Sequence, residues 1–315
     1  MTSPTGSYLE VSYDLRPAKQ VERRMIIDVL QRMTAAGFQI RDYQYTGLGS
    51  IYFVDFILFH RLLGLRRLLS VEHDVRIEKR IEFNRPFGLV ETQLTSIGDV
   101  IPTLSTEQKH ILWLDYDYVL DQGMLIDTTS AAYQLSVGSV LLITVDLKQP
   151  AGHESPAACM EYYKDEGGGY FEAGWSEEEF TPSALPMTLS RILMNALRNG
   201  TSGRSSARFL SLFRFLYQDG THPMLTIGGL IGADGEKSQL DRCDFSDIDF
   251  VRRDETSPPY RIVVPRLTRK ERIYLDQFMP CSAGWVPDDF ELSTEDALHY
   301  RNIYRYNPWY AELLL

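Results

Sequence analysis

Apolar residues in the first half of the chain follow two alternating patterns, which predict alternating helices and strands. Between positions 18 and 38 they recur as on one side of a helix, and Pro17 and Gly37 suit its start and its end. Later apolar runs are short and continuous, which is typical of strands buried on both faces. Strands are predicted at 41–46, 67–71, 91–97, 110–114 and 139–145, and further helices at 51–63, 75–84 and 123–135.

Strands separated by helices predict right-handed crossovers, and therefore an α/β fold with a doubly wound, mostly parallel sheet covered by helices on both faces. After Asp146 this rhythm breaks. The stretch 149–183 has the composition of a long loop or an irregular insertion. Beyond it we expect helices at 183–198, 205–217 and 268–278, and late strands, as an antiparallel edge of the same sheet, at 223–231, 247–252 and 260–264.

Composition is that of a folded cytoplasmic protein. Hydrophobic residues make up 44% of the chain and aromatic residues 12%, which supplies a core and argues against disorder. The sequence shows neither an apolar run long enough to span a membrane nor the basic and apolar segments of a secretion signal. The three cysteines and six histidines are scattered, which fits a reducing compartment and predicts no metal site.

The net charge of −11 argues against a protein that coats nucleic acid, because phosphate binding depends on Lys and Arg. A local basic groove is still open at two stretches, 16–24 and 265–272, although solvated helix faces are the favoured interpretation of both. A homodimer or a larger assembly is also open.

The most informative segment is YQYTGLGSIYFVDF, at 43–56, which is followed by LLSVEHD at 68–74. A predicted strand enters a turn that contains Gly47 and Gly49, the turn opens a helix, and the next strand ends on Glu72. Small residues let the backbone approach a nucleoside-bearing cofactor, and a carboxylate accepts hydrogen bonds from ribose hydroxyls. The segment therefore predicts a nucleoside site.

Acids at the next strand ends extend this site. Asp99 follows the third strand and Asp115 ends the fourth, and the carboxyl ends of parallel strands share one edge of the sheet. A P-loop would need a lysine after the glycines, and a nicotinamide fingerprint would need a third glycine where Tyr52 and Phe53 stand. The dinucleotide interpretation also gives no role to Asp99 or to the LDYDY segment.

Over about residues 43–146 the chain resembles the class I S-adenosylmethionine-dependent methyltransferases, which have a Rossmann-like fold. The resemblance implies S-adenosylmethionine as cofactor. The glycine turn would face the amino acid part of this cofactor, Glu72 the ribose hydroxyls and Asp99 the adenine amino group, while Asp74 would cap the next helix. The implied cofactor-binding residues are Gly47, Gly49, Ser50, Glu72, Asp99 and Val100.

The fourth strand ends in ILWLDYDYVL, where amino-group methyltransferases often carry a [DNS]PP[YFW] motif. Asp115 and Tyr118 match the first and fourth positions, whereas Tyr116 and Asp117 replace both prolines. The resemblance implies Asp115, Asp117 and Tyr118 as catalytic residues, with Asp117 as a general base or a group that binds a hydroxyl or an amine. The methyl acceptor, an amine or a hydroxyl, is not identified.

On this interpretation the chain has four parts. Residues 1–40 form a helical lead, 41–148 the Rossmann-like core that binds the cofactor, 149–220 an insertion with helices, and 221–315 late strands and a C-terminal extension of the same domain.

Other possibilities stand beside this one. The fold either turns over or serves as a degenerate cofactor-binding subunit of a larger assembly, and a nucleic-acid-modifying methyltransferase would use residues 265–272 for phosphate. Lys19 or Arg16 either meets a carboxylate at the cofactor site or belongs to a surface helix. The aromatic C-terminus, 299–315, either closes the substrate pocket, forms a partner interface or packs in the core.

Overall fold

One sheet of eight strands forms the centre of the computed structural model, which describes residues 16–309. The strands are β1 Gln44–Leu48, β2 Arg67–Glu72, β3 Val90–Leu94, β4 His110–Val119, β5 Val140–Asp146, β6 Arg208–Tyr217, β7 Met224–Gly232 and β8 Tyr260–Ile262. The helices are α1 Pro17–Ala35, α2 Val54–Leu63, α3 Glu78–Asn84, α4 Ile97–Val100, α5 Gln122–Gln134, α6 Pro156–Gly167, α7 Leu185–Ser202, α8 Asp234–Leu240, α9 Arg269–Asp276 and α10 Thr294–Ile303.

The strand order is β3-β2-β1-β4-β5-β7-β6-β8. The pairings among β1 to β5 and between β6 and β8 are parallel, whereas β7 runs antiparallel to both of its neighbours, β5 and β6. The prediction of a mostly parallel, doubly wound Rossmann-like sheet is therefore confirmed. All its first-half strands and helices form within a few residues of the predicted bounds.

An apolar core covers each face of the sheet, as expected for strands that are apolar on both sides. Residues of α1, α2, α3, α8 and α10 pack on one face, and those of α4, α5, α6 and α7 pack on the other. The N-terminal helix α1 is therefore part of the main core, and most of its residues are buried.

The segment predicted as a helix at 205–217 is instead strand β6, so that prediction is wrong. The sequence RFLSLFRFLY is apolar at most positions and gives no clear period, because the strand is buried on both faces. The rings of Phe209 and Phe213 fill the space above Gly229 and Gly228 of β7, where a Cβ would collide with them. The glycine pair in β7 thus fits the aromatic pair in β6.

Two further predictions need correction. The stretch 149–183 is not a long loop, because it contains α6, which begins at Pro156 after the Ser155 side chain caps its first turn. The stretch 247–252 is not a strand, and Asp247 there forms ion pairs with Arg32 and Arg305. The short helices α8 and α10 were also not expected from the pattern.

Candidate cofactor and methyl-transfer site

The register of the sheet brings the predicted site residues to one edge. Gly47 pairs with Ser70 of β2 and with Trp113 of β4, so the turn after β1 lies between the ends of those two strands. Glu72 is the last residue of β2. Asp115 lies two residues beyond Trp113, where the pairing between β4 and β5 becomes irregular. These residues thus share the carboxyl edge, where ligands bind in open α/β sheets.

Gly49 packs tightly against the end of β2. Its amide donates a hydrogen bond to the carbonyl of Val71, and a Cβ at this position would lie 2.8 Å from Cβ of Glu72. A Cβ at Gly47 would lie 2.5 Å from the hydroxyl oxygen of Tyr45. Both glycines are therefore required by the protein's own packing, and they hold the turn directly beside Glu72.

The turn leads into α2 through Ser50 and Phe53. The Ser50 hydroxyl accepts a hydrogen bond from the amide of Tyr52 at 3.3 Å, which tightens the bend. Phe53 has a left-handed backbone with φ of 49° and a buried ring. A side chain rarely adopts this conformation, and here it lets the ring enter the core while the chain reverses.

Glu72 is a buried carboxyl group at this edge. Its Oε1 accepts a hydrogen bond from the amide of Asp74 at 2.9 Å and lies 3.2 Å from Nδ1 of His73. Burial raises the pKa of Glu72 above its usual value. Asp74 caps the next turn by accepting from the amide of Arg76, as predicted.

Asp99 and Val100 lie in the short helix α4. The Asp99 carboxylate accepts hydrogen bonds from the hydroxyls of Ser96 at 2.7 Å and Thr95 at 3.1 Å, and these bonds lower its pKa. Ser96 in turn caps the helix by accepting from the amide of Asp99. The side chain of Val100 is buried in the core. Asp99 is thus an ionised, exposed group that also takes part in a helix cap.

The end of β4 turns its four polar residues in different directions. The hydroxyl of Tyr116 is buried and donates to Asp127 of α5 at 2.8 Å. Asp117 and Tyr118 are exposed, and partial burial raises the pKa of the Tyr118 hydroxyl. Asp115 points instead towards α1. The structure therefore separates Asp115 from the other two residues predicted as catalytic.

A cluster of buried charges lies beneath Asp115, and α1 supplies most of it. Nζ of Lys19 lies 2.6 Å from Oδ1 of Asp115 and 2.9 Å from Oε2 of Glu22. It also lies 4.3 Å above the centre of the Trp113 ring. Arg23 forms an ion pair with Asp55 in the first turn of α2. We call these residues, Lys19, Glu22, Arg23, Asp55 and Asp115, the α1 charge cluster.

The alternative of a surface helix for residues 16–24 is wrong, because the side chains of Lys19 and Glu22 are 0% exposed. Lys19 meets a carboxylate, as the other alternative proposed. Sequence reasoning missed Glu22, Arg23 and Asp55. A signal was present for the first two, because they fall on the same side of α1 as its apolar stripe.

The charges in this cluster set one another's ionisation. Burial would raise the pKa of Asp115, but the ammonium of Lys19 outweighs it and holds that pKa below its usual value. Burial would likewise lower the pKa of Lys19, which Asp115 and Glu22 instead raise. Burial raises the pKa of Glu22, against the attraction of Lys19. Asp115 and Lys19 thus form an ionised pair.

The start of α1 is fixed by the turn between β6 and β7. The carboxylate of Asp219 accepts hydrogen bonds from the amides of Ala18 at 2.7 Å and Lys19 at 2.8 Å. These amides have no partner within the helix, so Asp219 acts as a cap supplied from a distant part of the chain. Late strands therefore help to hold Lys19 at the edge of the sheet.

The second basic stretch is partly used within the molecule. Arg272 donates to the carbonyl oxygens of Pro308 and Asn307 and lies 4.2 Å from the Trp309 ring centre. Arg269 and Lys270 are exposed. Among the C-terminal aromatic residues, Tyr306 is buried and donates to Asp28 of α1, which supports core packing. Residues 310–315 of that stretch lie outside the described residues.

Two absences apply to residues 16–309. Within this range the structure contains no cluster of His, Cys, Asp and Glu side chains that could hold a metal ion. Over the same range no helix is long and apolar enough to cross a bilayer.

The family model described as "Putative O-methyltransferase" matches residues 11–315. The chain belongs to this methyltransferase family. Membership confirms the predicted enzyme class, a class I methyltransferase with a Rossmann-like sheet, and with it S-adenosylmethionine as the cofactor. Among curated proteins, none matches the sequence.

Several solved methyltransferases are similar to this family member in structure. Trm1 from Pyrococcus horikoshii, solved with S-adenosyl-L-methionine, has 10% identity and a TM-score of 0.43, and the match covers 70% of this chain and 58% of that one. NodS, an N-methyltransferase from Bradyrhizobium japonicum WM9, has 13% identity and a TM-score of 0.38, covering 67% and 87%. The O-methyltransferase TomG from Streptomyces achromogenes has 15% identity and a TM-score of 0.37, covering 72% and 94%.

Proposed function

We propose that this chain transfers a methyl group from S-adenosylmethionine to a hydroxyl group of an acceptor. The observation that carries the proposal is the meeting of the glycine turn, Glu72 and Asp115 at one edge of the sheet. The family description favours oxygen over nitrogen as the receiving atom. An amine acceptor is the second candidate, and Asp115 and Tyr118 at the ends of a [DNS]PP[YFW]-like motif favour it.

In this proposal the cofactor residues have separate tasks. The backbone of Gly47, Gly49 and Ser50 approaches the amino acid part of the donor. The buried Glu72 accepts hydrogen bonds from the ribose, and ionised Asp99 accepts from the adenine amino group beside the backbone of Val100. A bound sulfonium donor supplies an already activated methyl group, so the protein contributes position, exclusion of water and removal of a proton.

The acceptor end would be served by the residues after Leu114. Asp115 is a poor proton acceptor, because Lys19 lowers the pKa of its carboxyl group. Its proposed task is to accept a hydrogen bond. Exposed Asp117 would take the hydroxyl proton, and Tyr118, whose hydroxyl stays neutral, would contact the acceptor with its ring.

Calorimetric titration with S-adenosylmethionine, S-adenosylhomocysteine and NAD tests the cofactor site. We expect both sulfur nucleosides to bind and NAD not to bind. Glu72→Gln should weaken S-adenosylmethionine binding by about 10- to 100-fold, because a buried hydrogen-bonded charge contributes about 1.5–3 kcal/mol. The matched control is Glu91→Gln, an exposed carboxylate near the opposite end of the neighbouring strand β3, which should bind as the unaltered protein does.

The acceptor class needs a transfer assay. Purified protein with donor labelled in the methyl group would be offered phenols, hydroxy acids, aliphatic alcohols and amines. Label on a hydroxyl supports the proposal, and label on an amine supports the second candidate. Tight donor binding without transfer to any of them would favour the alternative of a non-catalytic subunit.

A further inference from the structure

The α1 charge cluster is unusual because all its charged groups are withdrawn from water. The side chains of Lys19 and Glu22 are 0% exposed, Arg23 is 3% exposed, and Asp55 and Asp115 are 14% and 21% exposed. Each buried charge costs several kcal/mol of desolvation, and a buried ion pair is often no more stable than apolar residues of the same shape. Packing alone therefore gives little reason for the cluster.

The position of the cluster points to the donor site. The two least buried members are the carboxylates of Asp115, at the end of β4, and Asp55, in the first turn after the glycine turn. Lys19 and Arg23 lie on their inner side, and the Asp219 cap fixes the start of the helix that carries both cations. The two carboxylates thus line the edge where, under the proposed function, the cationic amino acid end of the donor lies.

We propose that Lys19 is a positioning residue for the methyl donor, which holds Asp115 ionised and oriented at the floor of the donor site. This inference rests on the proposed function, because it assigns Asp115 to the positively charged end of S-adenosylmethionine. Without the ammonium beside it, the half-buried carboxyl group would take up a proton and lose its attraction for a cation. Lys19 therefore acts on the donor through Asp115 and does not touch the donor.

This role has a consequence for the pH dependence of donor binding. With Lys19 present, Asp115 stays ionised from about pH 5 to pH 8, so its contribution to binding is constant. Without Lys19, desolvation raises the pKa of Asp115, and donor affinity falls as the pH falls through that value. The other charged or titratable groups that face the pair are Arg16, Glu22, Arg23, Asp55, Tyr45 and Tyr217.

Glu22 is the group that must be separated from Asp115, because burial also raises its pKa. Arginines keep their charge in this range, and burial raises the pKa of both tyrosines so that they stay neutral. The test is therefore made in a Glu22→Gln background. The double variant Lys19→Met with Glu22→Gln also removes one charge of each sign, which lowers the risk that it fails to fold.

The experiment measures S-adenosylmethionine affinity by calorimetry across that pH range. Glu22→Gln alone should give a constant dissociation constant. Adding Lys19→Met should make donor binding weaken by about tenfold for each pH unit below the raised pKa of Asp115. Lys19→Arg in the same background keeps a positive charge and should restore the constant value. Arg32→Met, at the other end of α1, is the matched control and should leave the pH profile unchanged.

Three results would overturn the inference. One is a constant dissociation constant in the Lys19→Met double variant, which would make Lys19 a purely structural residue. Another is a pH dependence that survives the further change Asp115→Asn, because a different group would then be titrating. The third is failure of Lys19→Arg to restore the profile in a folded protein. Failure of the unaltered protein to bind the donor at any pH would instead contradict the proposed function.

Discussion

Gly49 and Glu72 occupy one shared space, so a change at either residue is felt at the other. The glycine amide is bonded to the carbonyl of Val71, the residue before Glu72. The absence of a side chain at position 49 lets the turn lie against the Glu72 stem. The proposed ribose contact therefore depends on a glycine that would face a different part of the cofactor.

Replacement of Gly49 by alanine tests this dependence. The added Cβ would lie 2.8 Å from Cβ of Glu72 and 2.9 Å from the Val71 carbonyl oxygen, so the end of β2 must move. We expect a loss of about 1–3 kcal/mol in the free energy of unfolding, measured by urea denaturation, together with weaker donor binding. Gly88→Ala is the control, because open space surrounds that position. Equal stability of the two variants would contradict this account.

The strand-end residues of the site could be predicted because they depend on local features. A short apolar run followed by glycine or by an acid places Gly47, Gly49, Glu72 and Asp115 at strand ends whatever the rest of the chain does. Glu22 and Asp55 could not be found in this way. Their burial depends on how α1 and α2 pack against the sheet, and a charged residue in a helix is usually solvated.

At the scale of elements, the same contrast separates the two halves of the fold. Each early strand is followed by its own helix, so the order of elements can be predicted from neighbouring residues. Strand β6 has no such local signal, because its partners β7 and β8 cover its edges and both faces are apolar. The pairing of its aromatic rings with the glycines of β7 is a property of two strands together.

The contribution of this pairing can be measured with Phe213→Ala. The ring is buried, stacks on Phe215 at 4.7 Å between ring centres and fills the space above Gly228. Its removal leaves a cavity that the glycine cannot fill. We expect the free energy of unfolding to fall by about 3–5 kcal/mol in chemical denaturation. Phe83→Ala, where the side chain is 88% exposed, should change it by less than about 0.5 kcal/mol.

At the scale of the whole molecule, the C-terminal segment returns to the body of the fold through specific contacts. Arg272 of α9 holds the backbone around Pro308 and stacks on Trp309, while Tyr306 reaches Asp28 of α1. The basic stretch 265–272 therefore does structural work in at least one of its charges. With a net charge of −11, few cations are available to attract phosphate over the remaining surface.

Arg272→Ala and Lys270→Ala separate the structural use of this stretch from a nucleic-acid role. The arginine variant should lose about 2 kcal/mol in the free energy of unfolding, because charge-assisted hydrogen bonds and a ring contact disappear. The lysine variant should stay within about 0.5 kcal/mol of the unaltered protein. If the stretch instead binds RNA, both changes would weaken RNA binding and each would lower its salt dependence by about one ion.

The hydrogen bond from the amide of Lys19 to Asp219 joins residues 200 positions apart. A ribosome adds about 5–20 residues per second, so some 10–40 seconds separate the synthesis of α1 from that of its cap. During that interval the charges of α1 have no completed environment on the growing chain. The nascent protein can begin to gain stability from its methyl donor only when the β6–β7 turn has been made. The late third of the chain thus decides when newly made protein becomes competent to bind.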